Sequence, residues 1–359
     1  MAIDTGLLMH IFDRTTECYK LFWFKVILSR LKDGITTMSY EEIVDEMIAS
    51  AWYMVSEYHL KLGPDDGLEN LIKRLQPQSG LRSTEEKNRL LKYIRECSDP
   101  GLKKEKARII RYVPYCLQSP FFPPKVNLSS YSGTGAIGLM NENKGIIYTY
   151  SAYRGLDTTI TVNPEWTVYL RENCTLVSSW IDYNLINYLQ RKNPSVPGIP
   201  NKLTPPEKRN LGDISKYWKA IITISPVREI YTGTTLTSSD LSIDHFVPWS
   251  YCASDEFWNL HPTTKSINSS KSNNLPVWDR YFPSLVDLEY LSYSLIHRYP
   301  SVHDVFESVR EDHFSSPGIR ERLYERKGLS RIEFGSVLSD VLEPQYRGAE
   351  NTGFKKWII

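Results

Sequence analysis

One stretch of the chain, residues 243–276, contains polar side chains whose types and order suit the hydrolysis of a phosphodiester bond. They are Asp244, His245, Asn259, Asn268 and Lys271. Such a reaction needs an activated water, neutralised phosphate charge and a stabilised leaving oxygen, and a hard divalent cation supplies the last two. Carboxylate and amide oxygens are ligands for such a cation, and a histidine can take a proton from water near neutral pH. The stretch therefore predicts a metal-dependent phosphodiesterase site.

The elements that must position these side chains are predicted as a strand, a loop, a second strand and a helix. We expect the first strand over residues 241–247, the loop over 251–256 and the second strand over 257–261. Residues 262–264 then open a helix with a threonine as its N-cap, and Asn268 and Lys271 share a face of that helix. Because neighbouring side chains of a strand point to opposite faces, Asp244 and His245 need a twist or bulge to serve one site.

These residues resemble the motif of the HNH endonucleases, also called ββα-metal nucleases. The resemblance covers roughly residues 230–276 and rests on the Asp-His pair, the middle asparagine and the Asn-x-x-Lys sequence. It implies that His245 is the general base and that Asp244 and Asn268 hold one metal ion. It further implies that Asn259 holds the loop and orients His245, and that Lys271 makes a phosphate or structural contact.

The sequence departs from the HNH pattern in two places. Many members have a histidine where this chain has Asn268, and the amide oxygen favours Mg²⁺ or Mn²⁺ over Zn²⁺. Many members also carry cysteine pairs that bind a structural zinc, whereas the equivalent residues 230–233 contain no cysteine. We therefore expect no structural zinc, and a hairpin held by packing, with Trp249, Trp258 and Trp278 as candidates.

Several aromatic and histidine side chains have two possible interpretations. His261 either lies on the second strand beside Asn259 and touches substrate, or is a surface histidine, which we favour. Trp249 and Trp258 either stack on bases or pack in the core, which we also favour. We expect the remaining candidates to lie on the surface; they are His297, His303 and His313.

Composition limits the classes of protein that the chain can belong to. A length of 359 residues suggests two or three domains, or one domain with elaborations, and a net charge of +1 excludes a global attraction to nucleic acid. Positive charge is concentrated in residues 82–111, which form either a solvated helical surface or a contact surface for the phosphate backbone. The scattered cysteines favour a reducing cytoplasm, and residues 21–31 are too short and too charged to span a membrane.

The pattern along the chain predicts a mostly helical α+β protein in four regions. Residues 1–119 are expected to be helical, with a capping box at Ser39, and residues 120–206 to be mixed, ending in a proline-rich connector. In the mixed region we predict a flexible turn at 132–138 and strands near 146–150, 158–162 and 167–170. The nuclease module is assigned to 207–282. We predict a helix at 278–282 after the motif. A helical region follows over 283–359, with a helix at 285–298, and its apolar tail either docks or binds a partner.

Taken together, these features predict an HNH endonuclease that hydrolyses DNA with Mg²⁺ or Mn²⁺. The resemblance implies a prokaryotic restriction or anti-phage defence effector, with a protein partner such as an ATPase as a possible context. Two alternatives stay open. One is a nuclease that acts on RNA or single strands, and the other is a non-catalytic binding module with a vestigial site.

Overall fold

The computed structural model describes residues 3–13, 15–126, 128, 133–205 and 211–359. Helices account for 61% of the structure and the sheets are small, which confirms the predicted mostly helical α+β class. The chain divides into two compact units. The N-terminal unit comprises Met1–Pro194 with Leu203–Pro205, and the C-terminal unit comprises Ser195–Lys202 with Pro206–Ile359. The finer division at residues 119, 206 and 282 stays a prediction.

The described part of the N-terminal unit consists of helices around one small antiparallel sheet, in which β3 lies between β1 and β2. Its elements are α1 (Thr5–Leu8), α2 (Tyr19–Lys32), β1 (Thr37–Ser39), α3 (Tyr40–Ser56), α4 (Gly67–Ser79), α5 (Lys87–Glu96), α6 (Pro100–Ile109), α7 (Val113–Cys116), α8 (Gly133–Glu142), β2 (Tyr148–Tyr150), β3 (Thr159–Val162), α9 (Pro164–Glu172) and α10 (Cys174–Lys192). The predicted capping box is present at the start of α3, where Ser39 and Glu42 bond each other's backbone N–H. Strand β1 was not predicted.

Two predictions in this unit are wrong. Residues 167–170, which we expected to be a strand, lie in α9, because Pro164 starts a helix where no intrahelical N–H bond is needed. The predicted flexible turn at 132–138 is instead the start of α8 from Gly133 onward, whereas Ser132 lies outside the described residues. Burial of Ala136, Ile137 and Met140 on one side of α8 outweighs the low helix propensity of its glycines.

Half of the ten basic residues in the segment 82–111 pair with carboxylates of their own unit. Lys106 is buried and pairs with Asp45 at 2.6 Å and with Glu41 at 3.0 Å. Lys87 pairs with Glu46 at 2.6 Å, and Arg89 and Arg95 also have carboxylate partners. Among the residues that the structure describes, three of the segment's lysines are exposed and make no ion pair; they are Lys92, Lys103 and Lys104. Arg82 and Arg111 are likewise exposed and pair with no described carboxylate, so the salt-bridged interpretation applies to half of the segment and the phosphate-contact interpretation stays open for the rest.

The C-terminal unit carries the predicted hairpin and helix, surrounded by longer helices. Its elements are α11 (Gly212–Ile224), β4 (Leu241–His245), α12 (Trp249–Cys252), β5 (Leu260–Thr264), α13 (Lys265–Lys271), β6 (Leu275–Pro276), α14 (Trp278–Arg298), α15 (Pro300–His313), α16 (Pro317–Arg320), α17 (Arg331–Asn351) and β7 (Lys356–Trp357). The two helices predicted at 278–282 and 285–298 are one helix, α14, which continues through Pro283. Within the described ranges, no helix has both the length and the apolar character that crossing a bilayer requires.

The apolar tail docks on its own unit. Strand β7 pairs in parallel with β6, so that the N–H of Leu275 donates to the carbonyl of Lys355 at 2.8 Å. The Trp357 ring packs edge-on against the Tyr231 ring, with 4.9 Å between their centroids. Of the two alternatives for the tail, the structure shows the docked one.

Candidate active site

The site is built on the β4–β5 hairpin, whose pairing is regular. Five consecutive pairs run from Leu241 opposite Thr264 to His245 opposite Leu260, without a bulge. The second strand was predicted too early, because residues 257–259 form a 3₁₀ turn and β5 begins only at Leu260. Pro262 fits in β5, which has β4 as its single partner among the described strands and is therefore an edge strand.

Helix α13 follows β5 directly and covers one face of the hairpin. The predicted threonine N-cap is Thr264, whose Oγ1 accepts from the N–H of Ile267 at 3.3 Å. From this helix, Asn268 Nδ2 donates to Ser242 Oγ at 2.8 Å, and Lys271 Nζ donates to Asp244 Oδ1 at 3.1 Å. Asn268 and Lys271 therefore both face β4, on the side that Ser242 and Asp244 share.

Asp244 is a buried carboxylate that is held by two donors. Its side chain is 6% exposed, Lys271 donates to Oδ1 and the Tyr231 hydroxyl donates to Oδ2 at 2.9 Å. Burial raises the pKa of Tyr231 well above its ordinary value, and the neighbouring Asp244 raises it further, so Tyr231 remains a donor. Because each carboxylate oxygen has two lone pairs, both oxygens of Asp244 can still bind a cation.

The Asn268 amide is oriented so that its oxygen is available. Its Nδ2 donates to Ser242 Oγ and also to the carbonyl of Ile243 at 2.9 Å, so the Nδ2 edge of the amide faces β4 and the Oδ1 edge does not take part in these bonds. Across the described ranges, no donor bonds this Oδ1. The carboxylate of Asp244 and the amide oxygen of Asn268 are a donor set that fits one hard divalent cation such as Mg²⁺ or Mn²⁺.

Lys271 is fully buried, and its contacts are internal. Besides Asp244, its Nζ donates to the carbonyl of His245 at 2.7 Å. Of the two contacts that the resemblance implies for Lys271, the structure shows the structural one. Its buried ammonium also balances the charge of Asp244, which would be costly to bury alone.

His245 lies at the end of β4, where its Nε2 is 2.8 Å from Asp255 Oδ1. Asn259 closes the intervening loop: its Oδ1 accepts from the N–H of Val247 at 2.8 Å and its Nδ2 donates to the carbonyl of Val247 at 2.9 Å. Asn259 therefore fixes the backbone two residues after His245. The regular pairing turns Asp244 and His245 toward different partners, and no bulge of the kind we expected joins them.

His261 and His313 contradict the predictions made for them. His261 is fully buried opposite Asp244, so it is neither a surface histidine nor a residue open to substrate. Its Nε2 is 3.6 Å from Asp244 Oδ2, and burial lowers its pKa to about 3, so it is neutral. His313 is also buried, and its Nδ1 donates to the carbonyl of Asp255 at 2.7 Å. Both errors have the same kind of cause. The burial of His261 depends on the register of β5, the burial of His313 depends on the packing of α15, and neither can be read from local spacing.

The other histidines and tryptophans follow the favoured interpretations only in part, since Trp249, for which we favoured core packing, is half-buried. His303 is exposed, whereas His297 is partly buried with its ring 4.7 Å from that of Tyr293. Trp258 is buried in the core, and Trp278 stacks on Phe282 at 4.1 Å.

Sequence reasoning missed Glu229, which lies just before the segment where other members have a cysteine pair. It is 1% exposed, and its Oε2 accepts from the N–H groups of Tyr231 at 3.1 Å and Thr232 at 2.7 Å. Its Oε1 accepts from Thr263 Oγ1 at 3.1 Å, which ties this loop to β5. Tyr231 and Asp255 were also missed. A tyrosine in the loop and an acid in a Ser-Asp-Glu run carry no distinctive spacing.

Comparison with known proteins agrees with this geometry. Residues 229–277 match the model of an HNH endonuclease family. The hairpin and α13 thus form an HNH nuclease module. No curated protein and no solved structure matches the chain. The match confirms the resemblance seen in the sequence and supports a nuclease whose substrate is nucleic acid, whereas the rest of the chain lies outside it.

Proposed function

We propose that the chain is a metal-dependent endonuclease that hydrolyses phosphodiester bonds in DNA. One observation carries this proposal: the carboxylate of Asp244 and the amide of Asn268 are held on one face of the hairpin, and His245 lies at its end. This arrangement occurs within the segment that matches an HNH endonuclease family.

In this proposal, His245 takes a proton from the attacking water, and Asp244 and Asn268 hold one Mg²⁺ or Mn²⁺. When bound, such a cation neutralises charge on the phosphate and on the leaving oxygen. Lys271 keeps the Asp244 carboxylate in place through its 3.1 Å bond. Asn259 keeps the backbone after His245 in place through its two bonds to Val247.

The cellular role that we propose is that of a restriction or anti-phage defence effector in a prokaryotic cytoplasm, acting with a protein partner such as an ATPase. It rests on resemblance to proteins with such modules. The near-zero net charge supports one element of it, since a chain without global attraction to DNA needs a local surface or a partner to reach its substrate.

The test is cleavage of supercoiled plasmid by the purified protein in Mg²⁺, Mn²⁺ or EDTA. His245→Ala should reduce cleavage to a small residual rate, and His303→Ala, which changes an exposed histidine of the same unit, should leave the rate unchanged. Metal-dependent nicking or linearisation that His245→Ala largely removes would support the proposal. Cleavage of RNA or single strands alone would favour the first alternative substrate. Nucleic-acid binding that survives loss of Asp244 and His245, without cleavage by the unmodified protein, would favour a vestigial module.

A further inference from the structure

His245 and Asp255 form a hydrogen-bonded pair in the HNH module. The 2.8 Å bond joins His245 Nε2 to Asp255 Oδ1, and the two side chains are 8% and 24% exposed. An ionised carboxylate only accepts hydrogen bonds, so the ring carries a proton on Nε2 in this pair. A surface pair of this kind would contribute little, but here the imidazole is almost completely removed from water.

The position of Asp255 is set by residues far along the chain. His313, the last residue of α15, donates from Nδ1 to the carbonyl of Asp255 at 2.7 Å. The next loop residue, Glu256, accepts from the N–H of Ser315 at 3.2 Å and from its hydroxyl. The loop that presents Asp255 to His245 is therefore held at two consecutive residues, one by the last residue of α15 and the other by the segment that follows it.

We propose that Asp255 is a positioning residue for His245, and that His313 and Ser315 hold it in place. Asp255 orients the imidazole and stabilises the positive charge that the ring carries after it takes a proton from water. A carboxylate behind a basic histidine has this effect wherever the geometry occurs, because it restricts the ring to one orientation and tautomer. The proposal rests on the proposed role of His245 as the base.

In this proposal the region after the HNH module supports the catalytic histidine. Helix α15 and the segment behind it lie outside residues 229–277, yet they supply the contacts that fix Asp255. A module cut at residue 282 would lack both His313 and Ser315. The pair therefore depends on the whole C-terminal unit.

The kinetic test is a double-mutant cycle between Asp255→Asn and His245→Ala on the full chain. We expect Asp255→Asn to lower kcat by about 10- to 100-fold, as loss of an orienting partner does at other sites. KM and the affinity for Mn²⁺ should change less than about twofold, because Asp255 does not hold substrate or metal in this proposal. In the His245→Ala background, Asp255→Asn should have no further effect.

Two further variants accompany the cycle, one as a second test and one as a control. His313→Gln should lower kcat in the same direction by a smaller factor, and Asp304→Asn, which removes an exposed carboxylate of the same unit, should leave kcat unchanged. The proposal is overturned if Asp255→Asn is as active as the unmodified protein, or more active. It is equally overturned if Asp255→Asn lowers the residual rate of His245→Ala by the same factor.

A second measurement does not depend on activity. The ring nitrogens of His245, assigned by comparison with the His245→Ala spectrum in ¹⁵N NMR, should show the Nε2-protonated tautomer, and Asp255→Asn should shift this population. A predominant Nδ1-protonated tautomer in the unmodified protein would overturn the proposal. If no substrate is cleaved but the Nε2-protonated pair is present, the proposed function fails and the pairing stands.

Discussion

Glu229 offers the sharpest test of how the loop before the β4–β5 hairpin is held in place, since residues 230–233 contain no cysteine. Its carboxylate accepts four hydrogen bonds, from the N–H of Tyr231, the N–H and hydroxyl of Thr232 and the hydroxyl of Thr263. Thr232 is exposed, so water can replace the carboxylate there, whereas Tyr231 and Thr263 are buried. Glu229→Ala therefore leaves two buried donors unsatisfied.

The two unsatisfied donors set the expected loss in the free energy of unfolding. Each unsatisfied buried donor costs about 1–3 kcal/mol, so Glu229→Ala, which leaves two of them, should destabilise the C-terminal unit by about 2–6 kcal/mol. Glu229→Gln should cost only about 1 kcal/mol, because its oxygen can replace Oε2 and its amide can donate to the hydroxyl of Thr263, which also accepts.

The assay is urea unfolding of the full chain with hydrogen exchange at residues 229–234 to report on this loop, because two units need not unfold together. EDTA should leave the unfolding curve of the protein unchanged in buffer without added metal, since Glu229 and packing hold the loop and no structural zinc is expected there. A cost below 1 kcal/mol for Glu229→Ala, or equal costs for the Ala and Gln variants, would refute the reasoning.

Three further predictions concern other parts of the C-terminal unit. Tyr231→Phe removes the donor to Asp244 Oδ2 and should weaken Mn²⁺ binding by about 10-fold with little change in stability. Electron paramagnetic resonance measures the Mn²⁺ affinity, and an unchanged affinity would contradict this prediction. Deleting residues 354–359 exposes the surface that buries Phe354 and Trp357 and should cost about 3 kcal/mol in urea unfolding; an unchanged midpoint would show that the docked tail contributes nothing. Burial raises the pKa of Glu289 from 4.5 to about 8, so the stability it contributes is complete below about pH 4.5 and is lost as the pH rises through 8. Glu289→Gln should therefore flatten the fall in Tm between pH 5 and pH 9, and parallel curves for the two proteins would count against a buried, protonated Glu289.

The candidate site was predictable to the extent that it is local. Asp244, His245, Asn259, Asn268 and Lys271 lie within one short stretch, and the hairpin and helix that position them are formed by that stretch itself. The exact start of β5 was not predictable, because Phe257–Asn259 has the composition of a strand but forms a turn closed by Asn259. Because β5 begins three residues later than predicted, His261 lies near its start, opposite Asp244, and is buried.

The HNH motif, its order of elements and the mostly helical class could all be predicted from the residues alone, because these depend on residue types, local spacing and helix caps such as Ser39. Which groups support the site could not be predicted in this way. Glu229 and Tyr231 reach it from before the hairpin, His313 from the end of α15, and Trp357 from the tail. Each of these contacts spans residues that are distant along the chain. No local pattern encodes them, since they form only when packing of the helices brings the segments together.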